Sequence, residues 1–191
     1  MKTREIDIRK YLHSKILKEH EDTKNAKIID ELKLCQGDAI IDVAVFNGCI
    51  NGYEIKSDSD TLERLPKQIE IYNKIFHKMT IVTGEKHIDK VSKMIPDWWG
   101  IIKVINGKNK IKSFDKIKNN EKNNNLEAIS LLQLLWKDEI IEFLTSFGIK
   151  SGIKNKPKRE LWDMIAYNTE IDCIEKFVIT KIKSRKGWRV D

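Results

Sequence analysis

Apolar residues at Ile8, Tyr11, Leu12 and Ile16, separated by charged positions, predict an amphipathic helix over residues 4–19. Ile28, Ile29, Leu32 and Leu34 predict a second, short helix over 24–34. The pattern then changes. AIIDVAVF at 39–46 is apolar and β-branched, residues 49–56 form a second candidate strand, and Asn47-Gly48 between them is a hairpin signal. Pro66 suits the first turn of a helix running to His77, with Ile69, Tyr72, Ile75 and Phe76 on its apolar face. A strand at 79–83, a helix at 85–95 and a strand at 100–105 come next, and Asn106-Gly107 turns the chain into another strand near 109–114. This order predicts an α/β fold, a mixed β-sheet flanked by helices.

Residues 115–125 (DKIKNNEKNNN) hold almost nothing to bury and read as a Lys/Asn-rich linker. Beyond them the pattern is helical: one helix over 126–147 stopped by Gly148, a second over 158–167, and a third over 170–184 capped by Thr169 with Asp172 three residues on. The expected organisation is therefore a core at 1–114, a linker at 115–125 and a small all-helical C-terminal domain at 126–191.

Charge adds a partner. Residues 1–102 balance, with 17 basic against 17 acidic groups, whereas residues 103–124 hold seven lysines against Asp115 and Glu121. The tail from 176 to 189 carries six basic groups and no acid. Clustering of this kind is the footprint of a phosphate-backbone binder, although lysine-rich segments also serve as plain solvated surface. No run of 18 apolar residues occurs, so the expectation is a cytoplasmic protein without a membrane partner. Cys35, Cys49 and Cys173 form no C-x-x-C pair and read as buried free thiols. The four histidines are scattered and read as surface residues; Trp98-Trp99 reads as the closed edge of a core. No phosphate-binding glycine loop or nucleophile elbow is present.

The candidate chemistry lies in the hairpin. Asp42 interrupts an apolar strand, where an unpaired charge costs several kcal/mol. Glu54 and Lys56 are two apart and share one strand face. Two carboxylates and a lysine gathered this way suit a Mg²⁺ or Mn²⁺ ion that polarises a phosphoryl oxygen and activates water. The same acid-x-lysine triplet occurs at Asp22-Thr23-Lys24 and Glu31-Leu32-Lys33, and a surface-facing Asp42 is the plainer alternative. Register decides between them. A strict two-residue Asn47-Gly48 turn sets Asp42 opposite Tyr53, whereas a three-residue loop at 47–49 sets it opposite Glu54. Gln68 and Tyr72 share a helix face one turn apart, where they touch the phosphate or brace Lys56; the plainer alternative is Tyr72 in the apolar stripe with Gln68 exposed beside it.

Asp42, Glu54-Ile55-Lys56 and Gln68-x-x-x-Tyr72 resemble the core of the PD-(D/E)XK nuclease superfamily, in particular its RecB-like Gln-x-x-x-Tyr branches. The run 52–68 with Pro96-Asp-Trp-Trp-Gly100 is similar to a small group of bacterial and phage proteins assigned there, so a phage or mobile-element association is implied. The resemblance implies a Mg²⁺- or Mn²⁺-dependent deoxyribonuclease, with Asp42, Glu54 and Glu31 as metal ligands, Lys56 as catalytic lysine, and Gln68 and Tyr72 in support. Asp30 rivals Glu31 for the acid of the first helix. The family's proline is absent, since Ile41 precedes Asp42. The competing expectation is a catalytically silent module of the same fold that binds nucleic acid or a partner protein; a third is an enzyme needing a homodimer mate or partner subunit. Residues 139–168 loosely resemble helix–loop–helix DNA modules, which adds Lys154, Lys156, Lys158 and Arg159, with Lys183, Arg185, Lys186 and Arg189 of the basic tail, as candidate nucleic-acid contacts.

Overall fold

The computed structural model describes residues 4–18, 26–108 and 110–187. Its centre is one six-stranded mixed sheet in the order β1-β2-β3-β4-β5-β6, matching chain order. The strands are β1 (Lys27–Leu34), β2 (Ala39–Phe46), β3 (Ile50–Lys56), β4 (Lys78–Thr83), β5 (Gly100–Asn106) and β6 (Ile111–Lys118). β3, β4 and β5 run parallel to one another; the remaining neighbours are antiparallel. Among the described residues seven α-helices surround the sheet: α1 (Glu5–Leu12, continued by a π-turn His13–Leu17), α2 (Leu65–Tyr72), α3 (Ile88–Met94), α4 (Ala128–Leu132), α5 (Lys137–Ser146), α6 (Lys158–Ala166) and α7 (Ile171–Ser184).

The sheet is buried on both faces because β2 through β5 are apolar at successive positions. On one face Ile8, Leu12 and Leu17 of the first helix cover Val43, Val45, Ile55, Val82, Ile102 and Val104. The other face carries Ala44, Phe46, Ile81 and Ile101, packed under α2, α3 and the four C-terminal helices in a single continuous core. The parallel pairs require crossovers, and α2 and α3 supply them.

Three predicted elements are corrected. Residues 27–34 form the edge strand β1, not a helix, because β2 has an open edge that the short turn at Cys35–Gly37 lets β1 pair. Residues 111–118, half of them assigned to a linker, form β6 against β5. The segment after β6 is pinned, not slack. Asn123 is buried and its amide donates to the carbonyls of Asn73 and Phe76, while the Asn120 amide donates to Thr80 Oγ1. The helix expected at 126–147 is two helices with a break at Trp136.

Histidine and cysteine also depart from expectation. His77 is buried, accepting from the Ile50 amide at 3.0 Å through Nδ1 and pairing with Glu175 of α7 through Nε2. His87 is buried as well. Cys35 and Cys49 are only half-buried and Cys173 is exposed. No helix among the described residues is long and apolar enough to cross a membrane.

Candidate functional site

The β2–β3 connection is a three-residue loop, with Phe46 opposite Ile50 and Val43 opposite Tyr53. Continuing that register sets Asp42 beside Glu54, and the Ile55 amide donates to Asp42 Oδ2 at 2.6 Å. Gly48 has a φ of +100°, a left-handed conformation that glycine adopts at no steric cost. On the other side of β2 the β1 register brings Glu31 into the same row, between Asp30 opposite Val43 and Leu32 opposite Ile41. Three acids therefore lie across three neighbouring strands.

They do not converge equally. Glu54 is 2% exposed, and its carboxylate is enclosed by protein donors. Lys56 Nζ lies 2.5 Å from Oε1, Gln68 Nε2 donates to Oε1 at 2.8 Å, and the Tyr72 hydroxyl lies 2.8 Å from Oε2. Lys56, 5% exposed, also donates to Gln68 Oε1 at 3.0 Å. Gln68 and Tyr72 thus both reach the β3 acid–lysine pair from one face of α2. The Tyr72 hydroxyl is also 2.8 Å from the Ile40 carbonyl, so its single proton has two acceptors. Burial, reinforced by the Glu54 charge, pushes the Tyr72 phenol far above its ordinary value.

Asp42 is pushed up to about 8, first by burial and then by the Glu54 charge, with the Ile55 amide and Lys56 opposing. Glu54 is raised too, by burial, against the pull of Lys56 and its hydrogen bonds to Lys56, Tyr72 and Gln68. Two buried carboxylates side by side cannot both ionise cheaply.

Glu31 is placed differently from expectation. It sits on a strand, in a left-handed conformation (φ 53°), with its side chain 66% exposed and hydrogen-bonded to Arg9 Nη1 at 2.9 Å. Asp30, its rival, pairs with His13 at 2.9 Å. The helical acid at this pocket is Glu5 of α1, and the cation organising its rim is Arg9, which binds Glu5 and Glu31 and lies 3.7 Å from Asp42. Neither residue was legible as part of the site, because nothing local to α1 reveals which strands it crosses. The pocket holds about 430 Å³ and is lined by five carboxylates (Glu5, Glu31, Asp42, Glu54, Asp60) and four cations (Arg9, Lys33, Lys56, Arg64). It is close to self-neutralising. Among the described residues no group of three or more His, Cys, Asp or Glu is disposed to hold a metal ion.

A second concavity, of about 970 Å³, opens on the far side of α1 against the β5–β6 hairpin. Lys10 and Lys15 line it from the first helix and its π-turn, and Lys108, Lys110 and Lys112 from the hairpin. The walls are held together by Tyr11, which packs edge-on against Phe114 at 4.8 Å and donates its hydroxyl to the Lys112 carbonyl at 3.2 Å. The single acid in the lining, Asp7, is bound to Arg4, and none of the five lysines makes an ion pair among the described residues.

Of the nucleic-acid contacts expected in the C-terminal helices, one is buried. Arg185 is a correction: it is 6% exposed, donates to Glu139 from both Nε and Nη2, and stacks over Trp136 at 4.0 Å. The buried Glu139 carboxylate and the Leu134 carbonyl hold its guanidinium inside the helical layer. Lys156 is paired with Glu160; Lys154, Lys158, Arg159 and Lys186 are exposed and Lys183 half-exposed. Arg189 lies outside the described residues.

Comparison with known proteins changes the functional reading. Residues 1–189 match the model of the family described as Bacteriophage P4 protein cII. Protein cII of Enterobacteria phage P4 is 31% identical over 161 residues, which is 84% of this chain and 60% of that relative. The chain thus spans about three fifths of the relative's length. No solved structure matches. These findings correct the expected membership of the PD-(D/E)XK nuclease superfamily, and with it the deoxyribonuclease, hydrolase and endonuclease assignments: a match along nearly the whole chain is to a different family, and neither description names a nuclease. The expected phage association stands. The Asp42–Glu54–Lys56 motif is short enough to occur outside that superfamily, and here Glu54 and Lys56 lie in a buried network with Gln68 and Tyr72.

Proposed function

We propose that this chain, which belongs to the bacteriophage P4 protein cII family, binds the phosphate backbone of nucleic acid, DNA in the first instance, in the groove between α1 and the β5–β6 hairpin. One observation carries the reading: five lysines without carboxylate partners among the described residues face one concave surface with a single, already paired acid. Lysine is a point charge suited to phosphate, and a polyanion gains free energy by releasing counterions when such groups neutralise it. The acidic pocket on the other side of α1 is unsuited to this task, since its cations are matched by its own carboxylates.

Fluorescence anisotropy with a labelled duplex tests the proposal. Binding that weakens steeply as salt is raised from about 50 to 200 mM is expected. A Lys10→Ala, Lys108→Ala, Lys110→Ala triple variant loses most of it while remaining folded. Unaltered binding by that variant rejects the groove, and tight binding of RNA alone replaces DNA as the ligand.

A divalent cation at Asp42 and Glu54 is a second component of the proposal. The favouring observation is the excess proton affinity of Asp42, which a cation would relieve. Against it, Lys56, Gln68, Tyr72 and the Ile55 amide already occupy oxygens of this pair. Calorimetric titration with Mg²⁺ and Mn²⁺, on the native chain and on Asp42→Asn, decides: heat lost in the variant supports the ion, and no heat from either protein removes it.

A further inference from the structure

His77 stands between α2 and β4, where the sheet, the segment after β6 and the last helix meet. Its backbone N–H donates to the Ile50 carbonyl at 2.9 Å, and the Ile50 N–H donates in return to His77 Nδ1 at 3.0 Å. The imidazole thus stands in for a backbone acceptor and extends the β3–β4 ladder one residue beyond the Asn51–Lys78 pair. Nε2 faces the Glu175 carboxylate on α7. The His77 carbonyl accepts from the Asn123 amide, which ties in the segment after β6.

A ring nitrogen that accepts carries no proton, so the neutral ring holds its proton on Nε2 and donates it to Glu175. This tautomer alone satisfies both neighbours. A second proton goes to Nδ1, where it points at the Ile50 N–H. Two donors then face each other inside the protein, and the amide of the fully buried Ile50 loses its acceptor. The contact with Glu175 survives and gains charge. The two sides of the ring therefore respond oppositely to acid. Glu175 on α7 favours the second proton, and Lys122 of the segment after β6 opposes it. Burial is the largest influence and holds His77 below its ordinary 6.5.

We propose that His77 is a pH-sensitive latch between the β2–β3 loop and the C-terminal helices: the neutral ring joins Ile50 to Glu175, and protonation at Nδ1 releases Ile50 while the ring stays with α7. The latch is closed above pH 6.5 and opens as pH falls below it. Ile50 pairs with Phe46 across the three-residue loop, so its release loosens the turn that sets Asp42 beside Glu54. The device does not rest on nucleic-acid binding in the lysine groove.

Long-range ¹H–¹⁵N spectra of the histidine rings and hydrogen exchange of the backbone amides, both on the full chain, test the latch. At neutral pH the His77 ring is expected as the Nε2–H tautomer. From about pH 7.5 to 5 the Ile50 amide, corrected for intrinsic exchange, is expected to lose about tenfold in protection. The amide of Ile81, buried within β4, keeps its own. Glu175→Gln, at a half-buried position, removes the charge that favours the second proton and shifts the loss at Ile50 to lower pH. His77→Asn keeps an acceptor on the side chain and does not titrate, so its Ile50 protection is flat with pH. An Nδ1–H tautomer at neutral pH, parallel protection of Ile50 and Ile81 across the range, or a loss at Ile50 that Glu175→Gln leaves at the same pH overturns the proposal.

Discussion

The Ile55 amide donates to Asp42 Oδ2 at 2.6 Å, so one hydrogen bond both satisfies a buried carboxylate and locks the β2–β3 register. The acid it holds has a folded-state value of about 8 against an ordinary 3.8. For an acid raised on folding, the unfolded chain gives up its proton first. Stability from this group is therefore complete below about pH 4, falls as pH rises, and levels off above about pH 8. Urea denaturation from pH 4 to 9 is expected to show that decline in the native chain and a shallower one in Asp42→Asn, whose side-chain oxygen still accepts from Ile55. Identical slopes would assign the decline to other groups.

Lys56 and Glu54 form a buried pair, and removing one member strands the other. Lys56→Met is expected to cost about 3–5 kcal/mol at neutral pH. The loss shrinks in acid, where the isolated Glu54 takes up a proton. Adding Glu54→Gln to Lys56→Met is expected to restore much of the stability, and a double-mutant cycle measures the coupling. Strictly additive losses would mean that the two side chains act separately.

Arg185 is a structural cation. Arg185→Ala leaves Glu139 buried without its partner and is expected to lower stability by about 3–5 kcal/mol. Its half-exposed neighbour is a control: Lys183→Ala is expected to stay within about 0.5 kcal/mol of the native chain. Thermal and chemical denaturation of both variants separates a packing role from a surface role.

Within the lysine groove each phosphate contact has a countable signature. Lys110→Ala is expected to weaken duplex binding for unrelated sequences alike and to reduce the slope of log affinity against log salt by about 1. Lys154→Ala, on the exposed segment before α6, is expected to leave that slope unchanged. The reverse result would move the interface to the C-terminal helices.

Gly100 begins β5 against the segment just beyond β6. A Cβ there would lie 2.9 Å from the Asn120 backbone nitrogen, so the clash is with main chain and cannot be relieved by a rotamer. Gly100→Ala is expected to cost about 1–3 kcal/mol, read from the urea midpoint at constant slope. An unchanged midpoint would show that the 118–121 segment yields freely.

Local pattern determined much of this protein. The β-branched run at 39–46, the crossover helix behind Pro66 and the alternation of strands and helices from residue 39 to 106 arise from short-range spacing, as does the sharing of one helix face by Gln68 and Tyr72. Tertiary structure decided what depends on distant partners. Residues 27–34 became a strand because β2 offered an open edge, and Arg185 was drawn inward because Glu139 lay buried beside it. The groove shows the same division. The lysine excess after residue 102 is plain in the chain, but Lys10 and Lys15 join it only because Tyr11 meets Phe114 and the Lys112 carbonyl, about a hundred residues away. Periodicity records which side of an element is apolar; only packing against a particular neighbour determines which charges then face each other.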